Sequence, residues 1–410
     1  MFNESEKLLH IFDLGIELSL YKDVDLLMER ILTLARQFTN AEAGSIYIRE
    51  DNWLKFSYTQ NDVQQKALPP GKKLVYSTFS IPINHESIAG HSAASDVMLN
   101  IPDVYNLPHE APYTFNKEYD ELSRYRTRSI LTFPLKTGRG GVIGVLQLLN
   151  AKNSKGDVIP FDPTDEPFVK HFATSVAIAL ERAQITRQMI LRVNKMAELR
   201  DPKETGAHVN RVASYSMEIY EAWATSRGVP HDEIQKNRDV LRMGAMLHDV
   251  GKVAIADAIL KKPAKLDAAE YETMKQHTLF GARLFADVYS EFDEAAASIA
   301  LNHHERWDGK GYPGHVNVQT GLPLPGYEDD KGKPLGKKGE EIPPFGRIVA
   351  IADVYDALSS KRAYKEPWDE TAVLENLRSE AGKQFDPDMM DAFFSCIDTI
   401  HTITKRYTEP

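Results

Sequence analysis

Apolar positions over residues 25–38 recur near the helical period, with Leu26, Leu27, Ile31, Leu34 and Phe38 on one face, which predicts an amphipathic helix. Short alternating segments follow. Residues 45–49, 54–58, 129–135 and 142–149 read as strands separated by Gly, Pro and Asn turns, the mixture of an α+β unit with an antiparallel sheet. The Pro- and Tyr-rich stretch 103–119 reads as an ordered loop over that sheet. From 164 to 199 there is no glycine and only Pro167, while Phe168, Phe172, Val176, Leu180, Ala183, Ile190, Val193 and Ala197 keep helical spacing. One long helix is expected there. At roughly 45 Å it exceeds what a domain core requires. It either pairs with its copy in a dimer or simply runs from the last helix of one unit into the first of the next.

Beyond residue 200 helical periodicity dominates, over 209–223, 238–247, 268–289, 294–303, 346–359, 370–380 and 387–400, so the second half is expected to be all-α. A Gly-, Pro- and Lys-rich stretch, 323–344, reads as a long loop. The resulting division is an α+β unit over 1–165, a linking helix over 166–200 and an all-α unit over 201–410.

Composition narrows the function. Apolar residues at 42% and charged residues at 26% are the balance of a folded protein. The longest apolar run, 141–149, is strand-sized, and the N-terminus lacks the pattern of a signal peptide, so a cytoplasmic protein with no membrane partner is expected. A single cysteine, Cys396, excludes an intrachain disulfide framework and a thiolate zinc cluster. The formal charge of −10 argues against a general nucleic-acid binder, so an anionic substrate would need local basic groups.

Five of the thirteen histidines stand near carboxylates in the helical half at spacings that suit metal ligation. Glu204 and His208, four apart, share a helix face. His248 and Asp249 are adjacent at the end of an apolar helix, so their directions diverge by roughly 100°. A carboxylate such as Asp249 can bridge neighbouring ions through its two oxygens. His277 lies in the next helix, His303 and His304 are again adjacent, and Asp353 sits in a helix otherwise rich in Ile, Val and Ala. Singly, such residues are usually satisfied core or surface groups. Together, burying or clustering eight ionisable side chains without compensation would cost several kcal/mol per unpaired charge. Mixed His and carboxylate ligands suit iron, manganese or zinc better than calcium. Closely spaced ions lower the pKa of a bridging water and neutralise charge on a phosphodiester, which points to hydrolysis by a metal-bridging hydroxide, with Asp249 and Lys252 at the catalytic centre. Lys252, Arg362 and Lys365 supply the basic groups for phosphate.

DPKETGAHVNRV (201–212), LHDVGK (247–252), HHERWDGKGYP (303–313) and ADVYDALSSKRAYK (352–365) resemble the HD-GYP family, over about residues 195–400. The resemblance implies an all-α fold and hydrolysis of cyclic di-GMP to pGpG, often onward to GMP. It implies metal ligands at Glu204, His208, His248, Asp249, His277, His303, His304 and Asp353, with two or three divalent ions, iron or manganese. Members with the glutamate matching Glu204 can hold three. Phosphate contacts fall on Lys252, Arg362 and Lys365, and Tyr312 would line the guanine or bridge to ligands. Other readings stay open: another 3′,5′-linked cyclic dinucleotide such as cyclic GMP-AMP as substrate, or a low-turnover binding module. Three departures stand out: an extra Lys203, Ala254 and Ala256 in place of Gly and Pro, and a loop over 315–338 about twenty residues longer than usual, which would act as a lid.

The first half resembles a GAF domain through AEAGSIYI (41–48), SIAGHSAASDVMLNIPDVY (87–105), RTRSILTFPL (126–135) and GVIGVLQLLNAK (141–152). Asn150, Lys152, Phe161, Asp165 and Glu166 are similar to the pattern of cyclic-nucleotide-binding GAF domains, interrupted by Ala151. They either help hold a small-molecule ligand or stabilise the fold. A homodimeric enzyme regulated by its GAF domain is the expectation.

Overall fold

The computed structural model describes residues 13–68, 79–138, 140–200, 206–360 and 368–407, which divide into two compact units, Met1–Thr186 and Arg187–Pro410. In the first unit a helix over residues 13–20 (α1) and α2 (Val24–Thr39) lead into β1 (Ala41–Glu50), β2 (Trp53–Asn61) and α3 (Asp62–Lys66). Then come β3 (Ser80–Pro82), α4 (Ile88–Ser95), β4 (Leu99–Ile101), α5 (Glu118–Ser123), β5 (Ile130–Lys136), β6 (Val142–Lys152) and β7 (Val158–Ile159). The long helix α6 (Glu166–Glu198) begins in this unit and ends in the next.

Asp23 starts α2 by accepting from the backbone N–H groups of Asp25 at 2.9 Å and Leu26 at 3.1 Å, and Asn40 ends it in the left-handed region at φ 51°. The strands pair antiparallel in the order β3-β2-β1-β6-β5-β4, with β7 beside β6. Alternate residues of β5, Leu131, Phe133 and Leu135, join Leu27 and Ile31 of α2 and Val176 and Leu180 of α6 in one core. On another cluster Tyr47, Leu54, Phe56 and Val145 pack with Ala89 and Ala93 of α4. The α+β expectation therefore holds, while α4 has no counterpart in the predicted elements. Its residues, IAGHSAAS, are too small to carry an apolar period.

In the second unit the order is α7 (Gly206–Ser226), α8 (His231–Ala245), a 3-10 turn (Val250–Ala254), α9 (Asp257–Leu260), α10 (Ala268–Lys275) and α11 (His277–Leu284). It continues with α12 (Glu291–Asn302), α13 (Pro344–Ser359), α14 (Glu370–Ser379), α15 (Pro387–Ser395) and α16 (Ile397–Arg406). Val212, Tyr215, Leu241, Ile299, Ile351 and Phe393 form its core. Two expected helices are each divided: 268–289 breaks at Gln276, and 387–400 breaks at Cys396. The first break matters to function because it puts His277 at the start of a helix. There a Cβ on Gly251 would lie only 1.9 Å from the His277 carbonyl oxygen, so the approach of the two segments requires glycine. Helix α8 ends at Ala245, so His248 and Asp249 stand in the tight turn beyond it and not on the helix. Among the described residues no helix is long and apolar enough to cross a membrane.

Candidate metal centre

Seven side chains from five separate segments converge in the second unit. Asp249, His277, His303 and His304 form one group and His208, His248 and Asp353 another, the ligand-capable atoms within each lying no more than 4.8 Å apart. His208 comes from α7, Asp353 from α13 and His277 from α11; His303 and His304 follow α12, and His248 and Asp249 follow α8. Glu204, Arg362 and Lys365 lie outside the described residues.

The two groups meet at Asp249. Its Oδ1 is 3.1 Å from Nε2 of His277 and 3.6 Å from Nε2 of His303, while its Oδ2 is 3.4 Å from Nε2 of His248. Asp353 Oδ1 stands 3.7 Å from His208 Nε2 and 3.9 Å from His248 Nε2. Lys252 donates to Asp249 Oδ2 at 2.6 Å.

Four of the histidines are held by the far side of the ring. Nδ1 of His248 lies 2.8 Å from the Ala245 carbonyl, Nδ1 of His277 lies 2.8 Å from that of Met274, and Nδ1 of His303 lies 3.0 Å from that of Ala300. Nδ1 of His208 lies 2.8 Å from a carboxylate oxygen of Asp356. Each of these oxygens accepts a hydrogen bond from a protonated Nδ1, which leaves the Nε2 lone pair aimed inward, the tautomer a metal ligand needs. Nε2 of the fully buried His248 makes no hydrogen bond of its own. The donor set and its outer contacts fit divalent first-row ions.

Charge follows the same plan. Burial opposes the charge on Asp249, but Lys252 and His248 outweigh it and hold the carboxyl well below its usual range. Burial likewise opposes the charge on His248, yet Asp249 and Asp353 outweigh it and raise its pKa. A field that draws a proton to Nε2 draws a metal cation there equally. Burial lowers the pKa of His303 and, more strongly, of His304, keeping both rings neutral and able to ligate.

Two participants escaped sequence reasoning. Asp356 orients His208 and accepts from Arg211 at 2.6 Å and 2.9 Å. The signal available was a pair of aspartates, Asp353 and Asp356, three apart on one helix. The second is Glu305, buried beside His304. It accepts from the backbone N–H of Gly314 at 2.6 Å and of Lys337 at 3.2 Å, and burial pushes its carboxyl up to about 7. Glu305 thereby pins both ends of the long loop over 315–338, which is further held by Arg283 donating to the Val318 carbonyl at 2.7 Å. Tyr312 stands beside the ligand-capable side chains: its ring stacks on His304 with centroids 4.8 Å apart and planes at 28°. A Cβ on Gly311 would meet Glu305 Cα at 2.5 Å, so the signature turn closes only around glycine.

Residues 205–358 match the HD domain family, and residues 23–180 match the GAF domain family. The chain carries a GAF domain followed by an HD domain. Over 217 residues it is 33% identical to 3'3'-cGAMP-specific phosphodiesterase 2 of Vibrio cholerae, covering 53% of this chain and 36% of that protein. Over 214 residues it is 37% identical to a cyclic di-GMP phosphodiesterase of Thermotoga maritima, covering 52% and 50%. Over 206 residues it is 37% identical to the cyclic di-GMP phosphodiesterase response regulator RpfG of Xanthomonas campestris pv. campestris, covering 50% and 47%. The match spans half or less of the length of each of these relatives.

In the GAF domain the residues similar to a nucleotide-binding pattern have structural partners. Asn150, at φ 56° and buried, donates to the Tyr125 hydroxyl and the Arg126 carbonyl, each at 2.9 Å, and accepts from the Arg128 N–H at 2.7 Å. Lys152 pairs with Glu42 at 3.3 Å, Phe161 is buried in the core, and Glu166 accepts from Asn100 at 3.0 Å. These contacts favour the fold-stabilising role for the four residues.

Proposed function

We propose that the HD domain is a metal-dependent phosphodiesterase of the HD-GYP type, which hydrolyses cyclic di-GMP to pGpG and onward to GMP. The observation that carries this reading is the placement of Asp249, with one carboxylate oxygen toward each group of ligand-capable side chains. On this reading His208, His248, Asp249, His277, His303, His304 and Asp353 would hold the ions, with Glu204 as an eighth ligand that would allow a third. Iron or manganese bound there would supply a water of lowered pKa and positive charge for the phosphate oxygens. Lys252, which pairs with Asp249, would offer its ammonium to the substrate phosphate, and Arg362 and Lys365 would hold the other phosphate. Tyr312, fixed against His304, closes one wall of the site.

The enzyme acts in the cytoplasm as a homodimer, with a small-molecule ligand of the GAF domain as its regulator and the linking helix 166–200 as the element that passes the signal. Support for self-pairing comes from α6, where Ile178, Ile185, Met189 and Met196 stay exposed at steps of seven, four and seven residues, the spacing of a coiled-coil seam.

The test is to load the full chain with iron or manganese, quantify the metal, and incubate it with cyclic di-GMP and cyclic GMP-AMP, resolving products by chromatography. Formation of pGpG and GMP is expected. Metal-replete protein that turns over neither dinucleotide overturns the reading, and turnover of cyclic GMP-AMP alone reassigns the substrate.

A further inference from the structure

Beside the metal centre, α10 holds an aromatic ring that the fold does not use. None of its residues is buried, yet the helix is firmly built: Asp267 and Glu270 close a capping box, and Lys262 pairs with Glu270. Tyr271 projects from it 50% exposed, so the ring is not a core anchor. Its neighbour is Tyr312, with centroids 6.4 Å apart and planes at 78°, and Tyr312 in turn lies 6.4 Å from the ring of His277. The two tyrosines make a corner whose inner wall touches the ligand-bearing histidines and whose outer wall faces solvent.

Lys275 fills the vertex. Its ammonium is 5.5 Å from the Tyr271 centroid and 5.6 Å from that of Tyr312, a distance at which both ring faces attract it. Glu272 tethers it at 2.8 Å. The same carboxylate is 3.9 Å from Lys333 of the long loop, so its charge is shared between two lysines and the corner keeps a net positive charge.

We propose that Tyr271 and Lys275 form a nucleobase subsite on the rim of the metal centre: the ring of Tyr271 stacks a purine, and the ammonium of Lys275 faces the base edge. This rests on the phosphodiesterase reading above. A nucleotide carries its base one sugar away from its phosphate, which matches a stacking face one ring beyond the wall of the centre. Stacking on an aromatic ring tolerates any base, whereas the cation discriminates: guanine presents O6 and N7, both acceptors, where adenine presents an amino group beside N7. Tyr271 therefore sets affinity and Lys275 sets preference for guanine.

The experiment uses the metal-loaded full chain with cyclic di-GMP and cyclic di-AMP. Tyr271→Ala is expected to raise KM for cyclic di-GMP about tenfold while kcat moves far less, and Tyr271→Trp to restore it. Lys275→Met is expected to reduce the preference for cyclic di-GMP over cyclic di-AMP about tenfold. Metal content and melting temperature of each variant serve as folding controls. Wild-type turnover with an unchanged KM in Tyr271→Ala overturns the subsite and leaves the enzyme reading intact; an unchanged preference in Lys275→Met overturns the guanine assignment. Wild-type protein that neither binds nor cleaves a cyclic dinucleotide overturns the enzyme reading and the subsite with it. If the wild type binds without turnover, the same ratios are read from Kd.

Discussion

Replacing Gly251 with alanine tests the geometry of the centre most directly. A Cβ there would lie 1.9 Å from the His277 carbonyl oxygen and 2.4 Å from the Gly281 nitrogen, both backbone atoms that no rotamer change can move. Ordinary contact begins at 3.4 Å, so the gap between the segments must widen by about 1.5 Å. Asp249 is two residues before one side of the gap, and His277 is the other side. Widening therefore separates Asp249 Oδ1 from His277 Nε2, now 3.1 Å apart. Overpacking of this kind costs about 1–3 kcal/mol, or roughly 2–12 °C in melting temperature, whereas an error near 1 Å in a catalytic constellation costs on the order of 100-fold in rate. Gly251→Ala should thus lose far more activity than stability. The assay is cyclic di-GMP turnover with bound metal measured by mass spectrometry and melting followed by circular dichroism. Gly138→Ala, where an added Cβ meets nothing within 4 Å, is the control. A folded Gly251→Ala protein with wild-type metal content and rate would refute the reasoning.

Three further predictions follow from contacts at the two sites. Asp249→Ala should lower turnover by at least ~1000-fold and reduce metal content with helicity intact, since the oxygens facing both groups are gone; unchanged activity removes Asp249 from its bridging role. Asp356→Asn should cost about 3–5 kcal/mol by leaving the buried Arg211 guanidinium without its carboxylate, and should also loosen His208, read as a lower melting temperature together with lost metal. Equal loss of metal without any loss of stability would contradict that account. In the GAF domain Asn150→Ala should cost about 2–3 kcal/mol in thermal or urea unfolding through the Tyr125, Arg126 and Arg128 hydrogen bonds. If stability holds but binding of cyclic GMP disappears, the side chain belongs to a ligand site instead.

The long helix α6 was legible because nothing interrupts its apolar period across 33 residues. The break at Gln276 was not, because neither glycine nor proline marks it, and it arises where a distant segment, at Gly251, packs in. Small-residue packing hid α4 in the same way. At the centre, adjacent His and carboxylate residues pointed to seven side chains that the fold does gather, while Glu204 lies outside the described residues. What orients them was invisible: the carbonyls of Ala245, Met274 and Ala300 are backbone atoms and leave no mark on residue identity. Asp356 did leave one, three residues after Asp353, but its partners His208 and Arg211 lie 148 and 145 residues earlier and meet it only once the helices are packed. For Glu305 the surroundings decide its role, since its partners are the N–H groups of Gly314 and Lys337, nine and thirty-two residues away.

The stem closed by Glu305 has a consequence for how such a protein can change over time. The loop leaves and re-enters the fold at one carboxylate, and inside that clasp it is tied to the rest of the domain at Val318 and Lys333, so a change of length between those ties adds mainly loop-closure entropy, about 0.6 kcal/mol for each doubling. A lineage can lengthen, shorten or recode this segment without displacing His303 or His304. The length of this segment and the geometry of the metal centre are thereby open to selection on separate schedules.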